Sequence, residues 1–190
     1  MQLYTTEAQG NNISIEENMG KKAITITLYM SELIYDVQNK AFLTGRSRRT
    51  EANAAQASNM QASDDEEDLN QVLRSIQTAY TSLLVELSDG MFGSSATAKT
   101  GTGSSATNEV MGADSDITLT LNVPSNYVMG LKDTLAACLH DYIVSKAMYE
   151  WLLITDKGDA AEYGAMAQDA LKRLHQTFYR RARPERHAKN

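Results

Sequence analysis

The sequence is short of cysteine, proline and long apolar runs, and each shortage excludes something. A single cysteine, Cys138, cannot form a disulfide within the chain and favours a reducing compartment. No run approaches the roughly 18 apolar residues that a membrane-spanning helix needs, so we expect no membrane partner. The first residues contain neither a basic stretch nor an apolar segment, which argues against a secretory signal. With two prolines among 190 residues, the ordered part favours helix.

Residues that carry chemistry are also sparse and poorly spaced for catalysis. His140, His175 and His187 lie far apart, and none has a metal-ligand spacing with another or with the cysteine. The Gly-Thr-Gly at 101–103 lacks the lysine and serine that end a phosphate-binding loop. The acidic run at 64–68 lacks calcium-loop spacing, and helix capping explains it more simply. We therefore expect a protein that is not an enzyme and that has no catalytic residue, metal site or cofactor.

Charge is distributed unevenly along the chain. Residues 172–190 hold seven basic residues and one acidic residue, a net charge of +6. The rest of the chain holds 11 basic and 23 acidic residues, a net charge of −12. An acidic body with a basic end suggests an electrostatic docking point. The candidate partner-docking residues are the four arginines of this end: Arg180, Arg181, Arg183 and Arg186.

Three interpretations of the basic end remain open. It can dock on an acidic protein surface, it can bind nucleic-acid phosphates, or it can be a solvated helix end, where arginines are favourable. No aromatic residue follows Tyr179, so a platform for stacking bases is not expected. The acidic body argues against a dedicated nucleic-acid binder.

Two short segments alternate in polarity and predict β-strands. In residues 23–29, Ile24, Ile26 and Leu28 alternate with threonines, and residues 117–123 repeat this pattern. We expect the two strands to pair. Since a pair of strands is only marginally stable alone, helices or strands from another subunit must cover it.

Two segments in the first half of the chain have apolar residues at helical spacing. The first predicted helix has Ser31 as its N-cap and ends near Gly45, which can adopt a left-handed C-cap. The second begins with a capping box of Ser63 and Glu66 and carries a long apolar stripe from Leu69 onward.

Two further segments predict long helices in the last third of the chain. The third helix follows Ser125 as its N-cap, and the fourth starts with a capping pair of Asp159 and Glu162. Pro184 should stop the fourth helix. Because only a tight turn at 156–158 separates the two, they must form an antiparallel hairpin.

The predicted organisation is an arm at residues 1–22, a single helical domain at residues 23–184 and a basic tail at residues 185–190. Residues 45–62 lack an apolar stripe and predict an exposed linker or a weak helix. Residues 88–115 are rich in Gly, Ser, Thr and Ala and predict a flexible insertion, since so long a loop is unusual inside a compact domain. The predicted fold class is mainly α: a four-helix bundle with a small two-stranded β element and a long extended arm and loop.

The segment from Leu131 to Pro184 resembles the C-terminal helical hairpin of tailed-bacteriophage head–tail connector proteins, also called adaptor or neck proteins. The likeness is carried by LHDYIVSKAMYEWLLITDKGDAAEY and by a following helix that ends in FYRRARP. The opening strand and helix, ITITLYMSELIYDVQNKAFL, are similar to the start of such proteins. Together these segments make up about half of the chain.

This resemblance implies a structural virion protein without an active site. Connectors assemble as homo-oligomeric rings, commonly of twelve subunits, which bind the portal protein above and tail or neck proteins below. Double-stranded DNA passes through the lumen without specific binding. The implied location is the head–tail neck of the virion, and the host cytoplasm during assembly. The four arginines would then dock on a neighbouring ring, and an acidic body lining the channel would repel DNA and let it slide.

Two alternative functions stay open. One is another virion component, such as a tail-completion or capsid accessory protein. The other is a small helical DNA-binding regulator, which should bind DNA with a steep salt dependence, whereas a connector should show almost none.

Overall fold

The computed structural model describes residues 21–63, 65–87, 99–100 and 112–182. The predicted basic tail, most of the predicted arm and most of the predicted insertion lie outside these residues. The fold is mainly helical with a small antiparallel sheet, as predicted. The elements, in chain order, are β1 (Lys21–Tyr29), α1 (Met30–Arg48), α2 (Ala54–Asn59), α3 (Glu66–Leu87), β2 (Lys99–Thr100), β3 (Asp116–Pro124), a 3-10 turn (Met129–Leu131), α4 (Lys132–Thr155) and α5 (Lys157–Phe178).

The sheet is built around the predicted pair of strands. β1 and β3 run antiparallel, with Ile24 opposite Leu121 and Ile26 opposite Leu119. Alternate residues of both strands are buried, so the apolar face of the pair turns toward the helices. The short β2 pairs with the other edge of β3, which gives the order β1-β3-β2. β1 starts at Lys21, so the last two residues assigned to the arm belong to the sheet.

Helix α4 lies at the centre of the described fold, where it packs against α1, α3, α5 and β1. Eleven of its 24 residues are buried, including the four consecutive residues 142–145. A helix that contacts neighbours on several sides needs apolar residues around its circumference rather than on one face. The burial of α4 is therefore wider than a single stripe.

Helices α4 and α5 form the predicted antiparallel hairpin. Only Asp156 separates them along the chain. Farther from the turn, Arg173 Nη2 of α5 lies 3.3 Å from Asp141 Oδ2 of α4. Nearer the turn, Gly164 lies against the ring of Tyr149. Because the paired positions run in opposite directions along the two helices, the hairpin prediction is confirmed.

The predicted boundaries of α1 are wrong at both ends. The helix starts at Met30, with Tyr29 as its N-cap, and it continues through Gly45 to Arg48. Gly45 is buried, and a Cβ atom on it would lie 2.6 Å from the carbonyl oxygen of Ala57. The glycine thus permits α2 to approach closely and does not terminate the helix.

Ser63 precedes α3, which begins at Glu66, and its partner is Asp68 rather than the predicted Glu66. Its backbone N–H donates to Asp68 Oδ2 over 2.8 Å, and its hydroxyl donates to the same oxygen over 2.6 Å. The hydroxyl also lies 2.9 Å from Asp65 Oδ2. Glu66, the predicted partner, is exposed at the start of the helix. Of the acidic run, Asp68 in the first turn of α3 accepts from a backbone N–H that precedes the helix, which is the geometry of a capping contact.

The predicted caps of the last two helices are also wrong. Ser125 lies in an exposed turn, and α4 begins only at Lys132, after the 3-10 turn. The N-cap of α5 is Asp156, whose Oδ1 accepts from the backbone N–H of Gly158 over 2.9 Å. Asp159 instead forms an ion pair with Arg48 of α1. At the other end, α5 stops at Phe178, before Pro184 is reached.

The segment at 45–62 is only partly an exposed linker, since residues 46–52 are exposed but Gly45, Ala57, Met60 and Ala62 are buried. It contains the short helix α2, which agrees with the weak-helix alternative. Ala57 and Met60 are both 1 % exposed. The carbonyl oxygen of Met60 accepts from the indole Nε1 of Trp151 over 2.9 Å, inside the protein. This bond ties the segment to the central helix α4.

Candidate docking surface

The first two candidate docking arginines lie just beyond the end of α5. After Phe178 the chain turns, and Arg181 forms an isolated antiparallel bridge with Tyr127, which precedes α4. The backbone N–H of Ala182 donates to the carbonyl oxygen of Asn126 over 2.8 Å. The backbone of the basic end is thus held against the loop that follows β3. Arg183 and Arg186 lie outside the described residues.

Arg180 and Arg181 project their charge toward solvent. Both are exposed, and neither has an ion-pair partner among the described residues. The two cations one to two turns before the end of α5 are compensated: Arg173 lies 3.3 Å from Asp141, and Lys172 lies 3.3 Å from Asp169. Four cations of the described hairpin make no ion pair with a described residue: Lys132, Lys157, Arg180 and Arg181. Two of the four are adjacent at its final residues, where an acidic partner can meet both.

The residues beneath this end form a close-packed apolar layer. Phe178 is buried and contacts the exposed Tyr179 edge to face, with ring centroids 5.1 Å apart. Tyr127 is buried on the α4 side, and burial raises the pKa of its hydroxyl, with a smaller contribution from Cys138. The docking arginines therefore sit on a rigid base rather than on a loose end.

Cys138 has the properties of a core residue. It is buried in α4, and burial is the largest cause that raises the pKa of its thiol above the ordinary value. Arg173 opposes that shift without reversing it. Since thiolates are the reactive form, a raised pKa makes this side chain a poor nucleophile.

The histidines are dispersed in the structure, as in the sequence. His140 Nε2 lies 3.7 Å from Asp36 Oδ2, in a shallow pocket of about 520 Å³ that Ser31, Glu32 and Tyr35 also line. His175 makes an edge contact with the ring of Tyr179, with centroids 6.5 Å apart. His187 lies outside the described residues. Within the described part of the chain, no three His, Cys, Asp or Glu side chains come together in a way that could hold a metal ion.

An open cleft of about 550 Å³ lies beside α5. Its lining combines Lys40, Lys172 and Arg173 with Asp141 and Asp169. Two of its three cations are already paired with its own carboxylates. The groove is therefore nearly balanced in charge, unlike the end of the hairpin.

A second exposed surface was not found by sequence reasoning. Helix α1 exposes Tyr35, Phe42 and Leu43 with 66 %, 44 % and 51 % of their surface accessible. Only the buried stripe of this helix was read from the sequence. The missed signal was a second apolar spacing on the opposite face, since Tyr35 and Phe42 lie seven residues apart.

Among the described residues, none of the helices has both the length and the apolar character needed to cross a membrane.

Comparison with protein-family models, with curated proteins and with solved structures found no match to this chain.

Proposed function

We propose that this protein is a structural virion component: a head–tail connector that assembles as a ring of twelve subunits between the portal and the tail of a bacteriophage. Double-stranded DNA would pass through its lumen without specific binding. The proposal places the protein in the neck of the virion, and in the host cytoplasm before assembly. It assigns the protein no enzymatic activity.

The hairpin resemblance is the first support for this proposal. Residues 131–184, whose pattern is similar to that of connector proteins, contain α4 and α5. The two helices pair antiparallel along their length, as the resemblance implies. The proposal also retains the four-helix bundle expected from the sequence, with α1, α3, α4 and α5 as its helices.

The observation that carries the proposal is the exposed, unpaired pair of arginines at the end of this hairpin. Arg180 and Arg181 are presented by a backbone that is fixed to the loop after β3. Unpaired cations on an ordered backbone suit docking on an acidic neighbouring ring, because the backbone loses little freedom on binding and the charges are complementary. Arg183 and Arg186 are expected to extend the same contact.

The ring is tested by electron microscopy of the purified protein, alone and mixed with a portal ring. We expect closed rings, or rings that form only on the portal. Monomers that remain monomers in both samples would overturn the proposal. The same images test whether acidic residues line the channel and repel DNA. A map that shows a basic lumen would contradict that hypothesis.

The docking role is tested by replacing Arg180, Arg181, Arg183 and Arg186 together with serine. We expect folded subunits and heads that fail to join tails. The matched control replaces Lys22, Arg49, Arg74 and Lys157 with serine, which removes the same charge from other exposed positions. Normal particle yield for the first variant, or equal loss for the control, would exclude a specific role for the hairpin end.

A DNA-binding regulator is the alternative that the basic end would favour, and salt dependence separates the two. A regulator that contacts several phosphates loses affinity steeply as salt rises. We expect the wild-type protein to bind duplex DNA weakly, with almost no salt slope. A steep slope that disappears in the four-serine variant would favour the regulator instead.

A further inference from the structure

The outward face of α1 carries five residues at the spacing of a coiled-coil seam. Glu32, Tyr35, Asn39, Phe42 and Arg46 follow one another at intervals of three and four residues, and all five are exposed. We call them the α1 outer stripe. The buried residues of α1 lie on the opposite side, against the rest of the fold. A three–four spacing keeps the stripe straight enough to pack along a second helix.

The centre of the α1 outer stripe is apolar. Tyr35 is 66 % exposed and Phe42 is 44 % exposed, and Leu43, which is 51 % exposed, lies beside them. Scattered exposed apolar residues are ordinary, but a contiguous row on one helix face typically marks an interface. No described residue of this chain covers the row.

The two ends of the α1 outer stripe carry opposite charges. Glu32 lies in the first turn of α1, and Arg46 lies in its last turn, about 21 Å away along the axis. Neither side chain has an ion-pair partner among the described residues. If a second α1 lies antiparallel on this face, Glu32 of each copy meets Arg46 of the other. A parallel arrangement would instead place like charges together.

We propose that the α1 outer stripe is a two-fold contact between two copies of this chain, with the two α1 helices antiparallel. Tyr35 and Phe42 of one copy then pack against the same residues of the other, where aromatic pairs contribute beyond the area they bury. Asn39 lies near the two-fold axis. A polar residue in the middle of such a seam favours one register, because its amide pairs only with a polar group opposite.

This contact does not depend on the connector proposal. A two-fold contact uses the same surface on both copies and closes on itself, whereas a ring needs two different surfaces joined head to tail. The α1 pairing therefore joins two free subunits, or two rings face to face. If rings form and the α1 variants do not change association, the α1 pairing is wrong and the connector proposal stands. If dimers depend on α1 and no rings form, the connector proposal is wrong and the pairing stands.

The decisive experiment is a charge exchange between two variants, followed by sedimentation velocity. Glu32→Arg places arginine opposite arginine at both ends of the pair, and Arg46→Glu places glutamate opposite glutamate. We expect each variant alone to raise the dimer dissociation constant at least about tenfold, because like charges then face each other twice. When the two variants are mixed, both ends regain opposite charges, so dimers should return.

The outcomes of the exchange separate the possible contacts. Loss of dimers in each single variant together with restored dimers in the mixture supports the antiparallel pairing. A contact between α1 and a different surface does not predict the rescue, and a parallel pair, whose ends already carry like charges in the wild type, does not predict the loss. A wild-type protein that stays monomeric at about 100 μM, which is a weak association on the usual affinity scale, overturns the proposal. Single variants that still dimerise alone, or a mixture that remains monomeric, overturn it as well.

A second pair of variants tests the apolar centre. Phe42→Ser should raise the dissociation constant at least about tenfold, as truncation of a buried aromatic anchor does. Ile154→Ser is the matched control, because Ile154 is 66 % exposed on α4 and lies outside the α1 outer stripe. Circular dichroism confirms that both variants are folded. Equal dimerisation of the Phe42→Ser and Ile154→Ser variants would remove the α1 outer stripe from the contact.

Discussion

Helices α4 and α1 are both rich in apolar residues, but the fold treats them differently. α4 buries eleven residues around most of its circumference, since α1, α3, α5 and β1 all pack against it. α1 buries six residues on one side and leaves Tyr35, Phe42 and Leu43 in solvent. The difference indicates that the apolar residues of α4 stabilise the fold of one subunit, whereas those on the outside of α1 add little to it and are the ones we propose for a contact between two copies.

The largest expected difference is between alanine substitutions at Trp151 of α4 and at Tyr35 of α1. Trp151→Ala removes a buried ring and the donor to the Met60 carbonyl, so we expect a loss of about 3–5 kcal/mol in the free energy of unfolding. Tyr35→Ala should change that free energy by less than about 0.5 kcal/mol in dilute solution. Guanidinium denaturation of both variants measures the difference.

A control for the Trp151 variant separates packing from hydrogen bonding. Trp151→Phe keeps much of the ring but leaves the carbonyl oxygen of Met60 without its indole donor, so an intermediate loss is expected, of about 1–3 kcal/mol. Equal small losses for Trp151→Ala and Tyr35→Ala would contradict the distinction between the two helices.

The next test concerns the inward side of α1, where Gly45 meets α2. In Gly45→Ala, the new Cβ would lie 2.6 Å from the Ala57 carbonyl oxygen, so backbone must shift. We expect the free energy of unfolding to fall by about 1–3 kcal/mol, although alanine has the better helix propensity. Gly130→Ala is the control, because a Cβ there has no atom within 4 Å. If Gly45→Ala proved as stable as the control, α2 would not be packed tightly on α1.

A smaller effect is expected for the ion pair between α1 and α5. Arg48 binds Asp159 through two contacts of 2.6 Å and 3.0 Å, and the Asp159 side chain is only 14 % exposed. Asp159→Asn should lower the free energy of unfolding by about 0.5–1 kcal/mol. This difference from the wild type should become smaller as salt is added. Asp169→Asn breaks the fully exposed pair with Lys172 and should cost almost nothing. Thermal melts at two salt concentrations compare them.

The smallest change in the free energy of unfolding at neutral pH is expected for substitution of Tyr80, which lies on the face of α3 that packs into the core. Burial raises the pKa of its hydroxyl from 10.0 to about 12. Below pH 10, Tyr80→Phe should be neutral or slightly stabilising, because the buried hydroxyl has no hydrogen-bond partner among the described residues.

Above pH 10, the buried Tyr80 hydroxyl makes the free energy of unfolding depend on pH. The unfolded chain ionises first there, so the wild-type protein loses stability as pH rises from 10 toward 12. The Tyr80→Phe variant should lose less over the same range, whereas Tyr35→Phe, at an exposed position, should follow the wild type. Urea denaturation as a function of pH checks this, and parallel curves for all three proteins would speak against burial of Tyr80.

Elements with a strong local signal were predictable from the sequence. Strict alternation identified β1 and β3, because one face of each strand is buried and the other is not. The short turn predicted at 156–158 led to the α4–α5 hairpin, and in the structure Asp156 alone separates the two helices. These features depend on neighbours in sequence, which is why pattern and spacing were sufficient.

Features decided by distant contacts were not predictable. Gly45 looked like a helix end, but a neighbouring backbone explains the glycine. Asp159 looked like a cap, but Arg48 lies beside it and Asp156 caps the helix instead. Met60 had no apolar stripe around it, and only the fold brings it beneath Trp151. Of the four candidate docking arginines, the structure places Arg180 and Arg181, both exposed.

The pairing at the two borders of the described body has a practical consequence. Lys21 pairs with Pro124, and Arg181 pairs with Tyr127, so the chain enters and leaves through one small area after β3. The turn at Asp156 lies at the opposite tip of the hairpin, where a gold label or epitope tag would mark subunit orientation in micrographs without obstructing that area.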